Sequence, residues 1–396
     1  MWISKSLNRY GKYFGRLWRC SYHWNLDKEK FEYLKNSKSF KSYPILYCIL
    51  FGTLFLLALP SFFIIGNFKR FLWEDKDELV NFAALLFMAF YFGMGLIGDF
   101  ICIHYGNDPI TGLNKAEELL EIIQSSKVQK FVPNPGKLLG NALYAIVITT
   151  EMLALFSVPA YTIFRINPLR TILKFYFGFE YTNFAISLLG FVLEQLAMMQ
   201  ACRLCMFTVL ACGVTGYYYN QILAYIKQLS VGHSKRQSLF DLKFSHTSTI
   251  YSCLRIMLQL CEDTSAIGMF TMMWADAVVI VACNFVTIKL RKLIPIYIYI
   301  IFPTLSIGSS LNCVLMFPLG AKLYEISVYL KGEWERQGSQ LTKNKYIRRK
   351  IKSIGLLKIE AGVAKFRLYF LSNSAIFTYW MAVLDNTVNA LLSIQV

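Results

Sequence analysis

The sequence predicts an all-α polytopic membrane protein of seven transmembrane helices, with the N-terminus inside the cell and the C-terminus outside. Three observations carry that prediction. The chain is 56% hydrophobic and 16% aromatic, with a mean hydropathy of +0.43, outside the balance of a soluble domain. Apolar runs of about 20 residues, the length a bilayer crossing needs, recur along it. Its charges, net +17, sit mainly in basic segments that flank the runs. That placement suits the anionic inner leaflet of a membrane and argues against nucleic acid.

Residues 1–42 are polar, aromatic and basic, with no cleavable signal peptide, and are expected to stay in the cytoplasm. Within them Lys5, Arg9, Lys12, Arg16 and Arg19 alternate with Leu7, Tyr13, Phe14, Leu17 and Trp18. This reads as an amphipathic helix on the inner membrane surface or as a disordered basic leader. Residues 43–330 hold six spans with their cytoplasmic extensions. Span 1 runs from about Tyr43 to Gly66 and is followed by an acid-rich loop through Glu74, Asp75, Asp77 and Glu78. Span 2, about Leu79 to His104, carries Gly93, Gly95 and Gly98, where another helix can approach closely.

An amphipathic connector through Leu113, Leu119, Leu120, Ile122 and Ile123 ends at the Pro133-Asn134-Pro135-Gly136 break. Span 3 follows from about Leu138 to Phe164, then an aromatic loop over 165–182. From Phe184 to Leu229 no strong breaker intervenes, so one helix is expected to cross the bilayer and project into the cytoplasm, with Tyr217, Tyr218, Tyr219 and Asn220 at the interface. Val231 to Asp241 reads as a loop, Ser245 to Asp263 as a mixed helix, Ile267 to Ile288 as span 5, and Ile294 to Leu319 as span 6 with a continuation to Leu330. Residues 331–370 form a basic cytoplasmic segment containing Arg348, Arg349, Lys350 and Lys352, and 371–396 the last helix. Two basic regions separated by an even number of spans satisfy the positive-inside rule. Arg165, Arg170, Lys174, Lys289, Arg291 and Lys292 would then be external, against the rule's grain.

Catalytic signals are thin. His23, His104, His233 and His246 show no metal-ligand spacing, and there is neither a phosphate-cradling glycine loop nor a nucleophile elbow. No enzyme activity, metal or cofactor is expected. The ten cysteines suggest no disulfide framework, and Cys202 and Cys205 read as core residues of an apolar helix.

Chemistry concentrates instead on ionisable residues inside spans: Asp99, Glu151, Glu194, Arg203, Asp276 and Asp385. Such groups are costly in lipid and face the bundle interior, where they pair or bind something. Arg203 is a candidate partner for Asp99 or Asp276. Glu151 and Glu194, with Phe90, Tyr91, Phe156, Tyr161, Phe191, Met198, Tyr299 and Phe302, would make an aromatic small-molecule pocket in the outer half, or simply pack as core.

In the last helix Thr378, Ala382, Asp385, Asn389 and Ser393 recur three or four positions apart, a small and polar stripe along one face. An ionised Asp at the centre of a lipid-facing helix costs about 3 kcal/mol, so Asp385 should face protein or water. The stripe is a pore lining or a polar seam against neighbouring helices.

Thr378-Tyr379, the five apolar residues Trp380 to Leu384 and the polar residue after them resemble the signature closing the last helix of arthropod gustatory and odorant receptors. The chain departs from that pattern at Asp385, where the family usually has Gln, and runs on past it to Val396. The resemblance implies a tetrameric, ligand-gated, non-selective cation channel of the plasma membrane, a homotetramer or a heterotetramer with related subunits, opened by a small-molecule tastant or odorant. It also implies that the final helices line a central pore, with Ala382, Asp385 and Asn386 at the constriction, and that the inner ends of helices 4 to 6 and residues 345–357 form a cytoplasmic anchor. Readings from other classes are an ion-coupled secondary transporter using Glu151, Glu194, Asp276 and Asp385, and a G-protein-coupled receptor, whose topology would be inverted.

Overall fold

The computed structural model of the chain describes residues 2–17, 22–33, 49, 51–53, 55, 90–101, 104–105, 107–125, 136–163, 184–230, 237–292, 296–341, 344–363 and 365–393. Most of span 1, the acid-rich loop, the first half of span 2, most of the Pro-Asn-Pro-Gly break and the loop over 165–182 lie outside the described residues.

In chain order the elements are α1 (Trp2–Phe14), β1 (Tyr22–Asn25), β2 (Lys30–Tyr33), α2 (Phe90–Ile101), α3 (Asp108–Ser125), α4 (Lys137–Ile163), α5 (Phe184–Ser230) and α6 (Gln237–Leu260). They continue with α7 (Glu262–Lys289), α8 (Ile296–Tyr299), α9 (Ile301–Leu341), α10 (Lys345–Ser353), β3 (Glu360–Val363), β4 (Phe366–Phe370) and α11 (Asn373–Ser393). The molecule is a helical bundle with two short antiparallel hairpins, β1–β2 and β3–β4. Four described helices are long and apolar enough to cross a membrane, over Lys137–Pro159, Ser187–Ser230, Glu262–Lys289 and Ile301–Gln340. Their outward residues, among them Leu189, Met152, Trp274 and Ile307, are exposed and apolar, as lipid contact requires.

The unbroken apolar run beginning at Phe184 does form one helix: α5 has 47 residues and is about 70 Å long. Its tyrosines are not interfacial, however. Tyr217, Tyr218, Tyr219 and Asn220 are all buried, because α3 and α9 pack against the projecting half of α5. Tyr218 donates to Glu117 of α3 at 2.8 Å, and Asn220 donates to the Leu319 carbonyl of α9 at 2.8 Å. The expected loop before α6 is shorter than the sequence suggests, since helix begins at Gln237. The sixth span is longer, with α9 continuous through Pro318 to Leu341.

The inner ends of α5, α6 and α9 close around Trp334, whose ring meets Phe244 and Tyr251 edge-on and whose indole donates to Ser230 at 3.2 Å. On α10 the Asn344 side chain accepts from the Tyr346 amide at 2.9 Å, capping the helix, and Ile347 and Ile351 bury its apolar side. Residues 354–359 then return along the bundle, held where Tyr251 donates to Gly355 at 2.9 Å and the Leu357 amide donates to Ser327 at 3.2 Å.

Helix α1 corrects an expectation. Its apolar side, Ile3, Leu7, Tyr10 and Phe14, is not left for a membrane surface but is buried in the bundle, mainly against α4. Ser6 donates to the Gly140 carbonyl at 2.9 Å, and the ammonium of Lys5 stands 4.9 Å from the Tyr144 ring. The basic residues of α1 therefore serve a protein interface as well as the surface.

Candidate functional site

The final helix, α11, is positioned from below by the β3–β4 hairpin and from the side by α7 and α9. Arg367 of β4 bonds Asp263 at the start of α7, lies 3.6 Å from Glu262, and reaches Glu360 of β3 at 3.2 Å. These acidic partners stabilise its charged form and raise its pKa. One turn-length further on, Asn373 at the head of α11 donates to Glu325 of α9. The entry to α11 is thus tied to both neighbouring helices.

Within the bundle α11 buries Tyr379, Val383 and Thr387. The Tyr379 ring packs edge-on against Phe317 with centroids 5.2 Å apart. Its hydroxyl meets the Cys313 thiol at 3.4 Å; that sulfur also contacts Asp276 Oδ2 at 3.4 Å, and Asn312 Nδ2 donates to the same carboxylate oxygen at 2.9 Å. A polar chain therefore runs from α7 through α9 to α11. Each link satisfies a group that would be costly to bury alone. Sequence reading flagged Asp276 and Tyr379 separately, and no spacing signal joined them. The idea that Asp276 meets Arg203 is replaced by this set of partners, while Asp99 receives Gln200 at 3.3 Å.

The remainder of α11 is open and divides in two. Thr378, Ala382, Asp385, Asn386 and Asn389 are exposed along one strip. Phe377, Met381, Leu384, Val388 and Leu392 are exposed along another. At 3.6 residues per turn the buried, apolar and polar strips lie roughly a third of a turn apart. The side chain of Ser393 is outside the described set. The polar strip explains why α11, at 21 residues, is not among the four helices apolar enough to qualify as spans by composition.

The expected ligand set is brought together only in part. Phe90 and Tyr91 of α2 and Phe302 of α9 line a cavity of about 50 Å³ with Trp274 and Cys283 of α7 and Ser309 of α9. That is below the roughly 150 Å³ that holds a benzene ring, so a larger ligand requires its walls to part. Phe191, Glu194 and Met198 lie on α5, the latter two buried, and do not line it. Tyr299 directs its hydroxyl to the Thr287 carbonyl at 3.2 Å.

Two members of the set stand elsewhere. Phe156 is 61% exposed on the surface of α4. Glu151 is buried but belongs to α1: Arg9 Nη2 stands 2.7 Å from its Oε2 and Arg9 Nε 3.0 Å from the same oxygen, with Tyr144 accepting from Nη1 at 3.0 Å. The forked guanidinium pairs with that carboxylate and holds it against α1. The side chain of Tyr161 is outside the described set. Among the described residues no cluster of His, Cys, Asp and Glu could hold a metal.

No family model matches the sequence, and no curated protein matches it either. The structure does match. The insect olfactory receptor OR5 from Machilis hrabei in complex with eugenol superposes with a TM-score of 0.53 and 13% identity, covering 99% of this chain and 97% of that one. The chain has the fold of an insect olfactory receptor. A second structure of the same receptor gives a TM-score of 0.50 at 12% identity, over the same shares of both chains. The likeness covers nearly the whole of both chains. At these identities it establishes the fold and leaves individual residues to be argued from their own chemistry.

Proposed function

We propose that the chain is a chemosensory receptor of the plasma membrane that acts as a ligand-gated, non-selective cation channel. The observation that carries the reading is the three-way division of α11. A helix with one buried seam, one exposed apolar strip and one exposed polar strip suits a position where a protein core, a neighbouring subunit or lipid, and water meet. Four such helices around an axis would enclose a path lined by Thr378, Ala382, Asp385, Asn386, Asn389 and Ser393. A ring of four Asp385 carboxylates would attract cations and repel anions.

The outer cavity at Phe90, Tyr91 and Phe302 supports a small, apolar or aromatic ligand. A structural relative was solved with eugenol, an aromatic molecule of that class. Parting of the cavity walls would move α7 and α9, and the polar chain Asp276, Cys313 and Tyr379 provides a route from those helices to α11.

The test is whole-cell current from cells expressing this chain, alone and with related subunits, challenged with a panel of volatile aromatics, sugars, amino acids and amines. A ligand-evoked cation current that survives blockade of G-protein signalling is the expected result. Radiolabelled ligand uptake coupled to a proton or sodium gradient, without such a current, would instead establish a transporter.

A further inference from the structure

A second apolar cavity lies where the N-terminal hairpin and α3 meet α5, α7 and α9. It has a volume of about 140 Å³ and is walled by Phe31, Leu113, Phe207, Leu258, Met269 and Met316 from six different elements. An apolar cavity of roughly 150 Å³ stays dry and accepts benzene, so this one has the capacity for a single ring. It is distinct from the outer cavity, sharing no lining residue with it.

Its polar complement is small and specific. Thr208 and Ser265, both in the wall, donate to carbonyls of their own helices, Leu204 at 3.0 Å and Glu262 at 3.0 Å. Tyr219, also in the wall and 1% exposed, has a buried hydroxyl with no oxygen or nitrogen partner within hydrogen-bond reach. Its polar neighbour is the thiol of Cys261, which donates to the Asp108 carbonyl at 3.8 Å and is itself only a weak acceptor. A buried phenol of this kind is costly to leave unmatched. Gly268, on the same wall, adds room: a Cβ built there would meet nothing within 4 Å.

We propose that this inner cavity is a second ligand site, taking a single-ring apolar molecule that carries one hydroxyl, with Tyr219 as its hydrogen-bond partner. The site couples elements that no outer ligand touches, because its walls include α3 and the N-terminal hairpin. It stands independently of the channel reading, since its test is direct binding.

The experiment titrates 4-fluorophenol and 4-fluorotoluene, near-isosteric rings with and without a hydroxyl, against the full chain in lipid nanodiscs, read by fluorine NMR with empty nanodiscs subtracted. The expected result is saturable binding that favours the phenol by about fivefold, the equivalent of one net hydrogen bond. Gly268→Leu, which fills the space without a backbone clash, should abolish binding of both probes while the melting temperature of the unliganded protein holds or rises. Tyr219→Phe should keep toluene binding and erase the phenol's advantage. Absence of saturable binding, equal affinity for the two probes in the native chain, unchanged binding in Gly268→Leu, or a phenol preference that survives Tyr219→Phe would each overturn the assignment.

Discussion

Arg9 and Glu151 stand 142 positions apart in sequence, and their pairing fixes α1 to α4. Glu151 is almost fully buried, while about a third of the Arg9 side chain is exposed. Removing Arg9 strands a buried carboxylate, at a cost reduced by the solvent reaching the pair. Arg9→Met is therefore expected to lower unfolding free energy by about 2 kcal/mol, and adding Glu151→Gln should recover most of it, measured by denaturation of the two variants in detergent. Glu117 gives a second test. Burial raises its pKa, opposed by the hydrogen bond from Tyr218. A carboxyl whose folded pKa lies above its unfolded value favours the folded state at low pH, and that contribution falls as pH rises from the unfolded to the folded pKa. Glu117→Gln should accordingly raise the melting temperature at neutral pH and change it little below pH 4. The opposite ordering would mean that the Tyr218 bond, and not burial, dominates.

At the scale of elements the hairpin β3–β4 is the part most sensitive to substitution. A Cβ at Gly362 would run into the carbonyl of Phe366 on the facing strand, so Gly362→Ala should open the hairpin and disorganise the entry to α11. We expect reduced ligand-evoked current and a lower melting temperature. Gly332 in α9 is the control: a Cβ there meets nothing within 4 Å, and Gly332→Ala should stabilise by about 1 kcal/mol from helix propensity alone. The long helices α4, α5, α7 and α9 were legible because continuous apolar runs without breakers leave few alternatives. The hairpins were not, since each strand has only four or five residues, set among loops. A signal for β1–β2 existed in the aromatics Tyr22, Trp24, Phe31 and Tyr33 around Asn25, whose side chain accepts from the amides of Asp27 and Lys28 in the turn. The polar strip of α11 was visible as periodicity, whereas the Asp276, Cys313 and Tyr379 chain joins three helices and leaves no local trace.

Taken whole, the molecule spreads its basic segments along the bundle: α1 lies beside α4 and reaches the middle of α5 at Arg203, while α10 packs against the inner end of α9. The N-terminal hairpin meets α5 at Phe207, about 35 Å along the helix from Ser230, where the Trp334 core closes the inner end, and the outer cavity with α8 lies toward the opposite end. Opening would pass from the outer cavity through α7 and α9 to the exposed polar strip of α11. The central claim is that this strip, and not the apolar one, faces the ion path. Cysteine accessibility along α11 tests it most directly, with a charged thiol reagent applied during ligand-evoked current and the native chain as control for its own cysteines. The account predicts that Ala382→Cys, Asp385→Cys and Asn389→Cys become sensitive to the reagent, while Leu384→Cys and Val388→Cys stay insensitive. Modification confined to positions 384 and 388, or spread evenly around the helix, would contradict it.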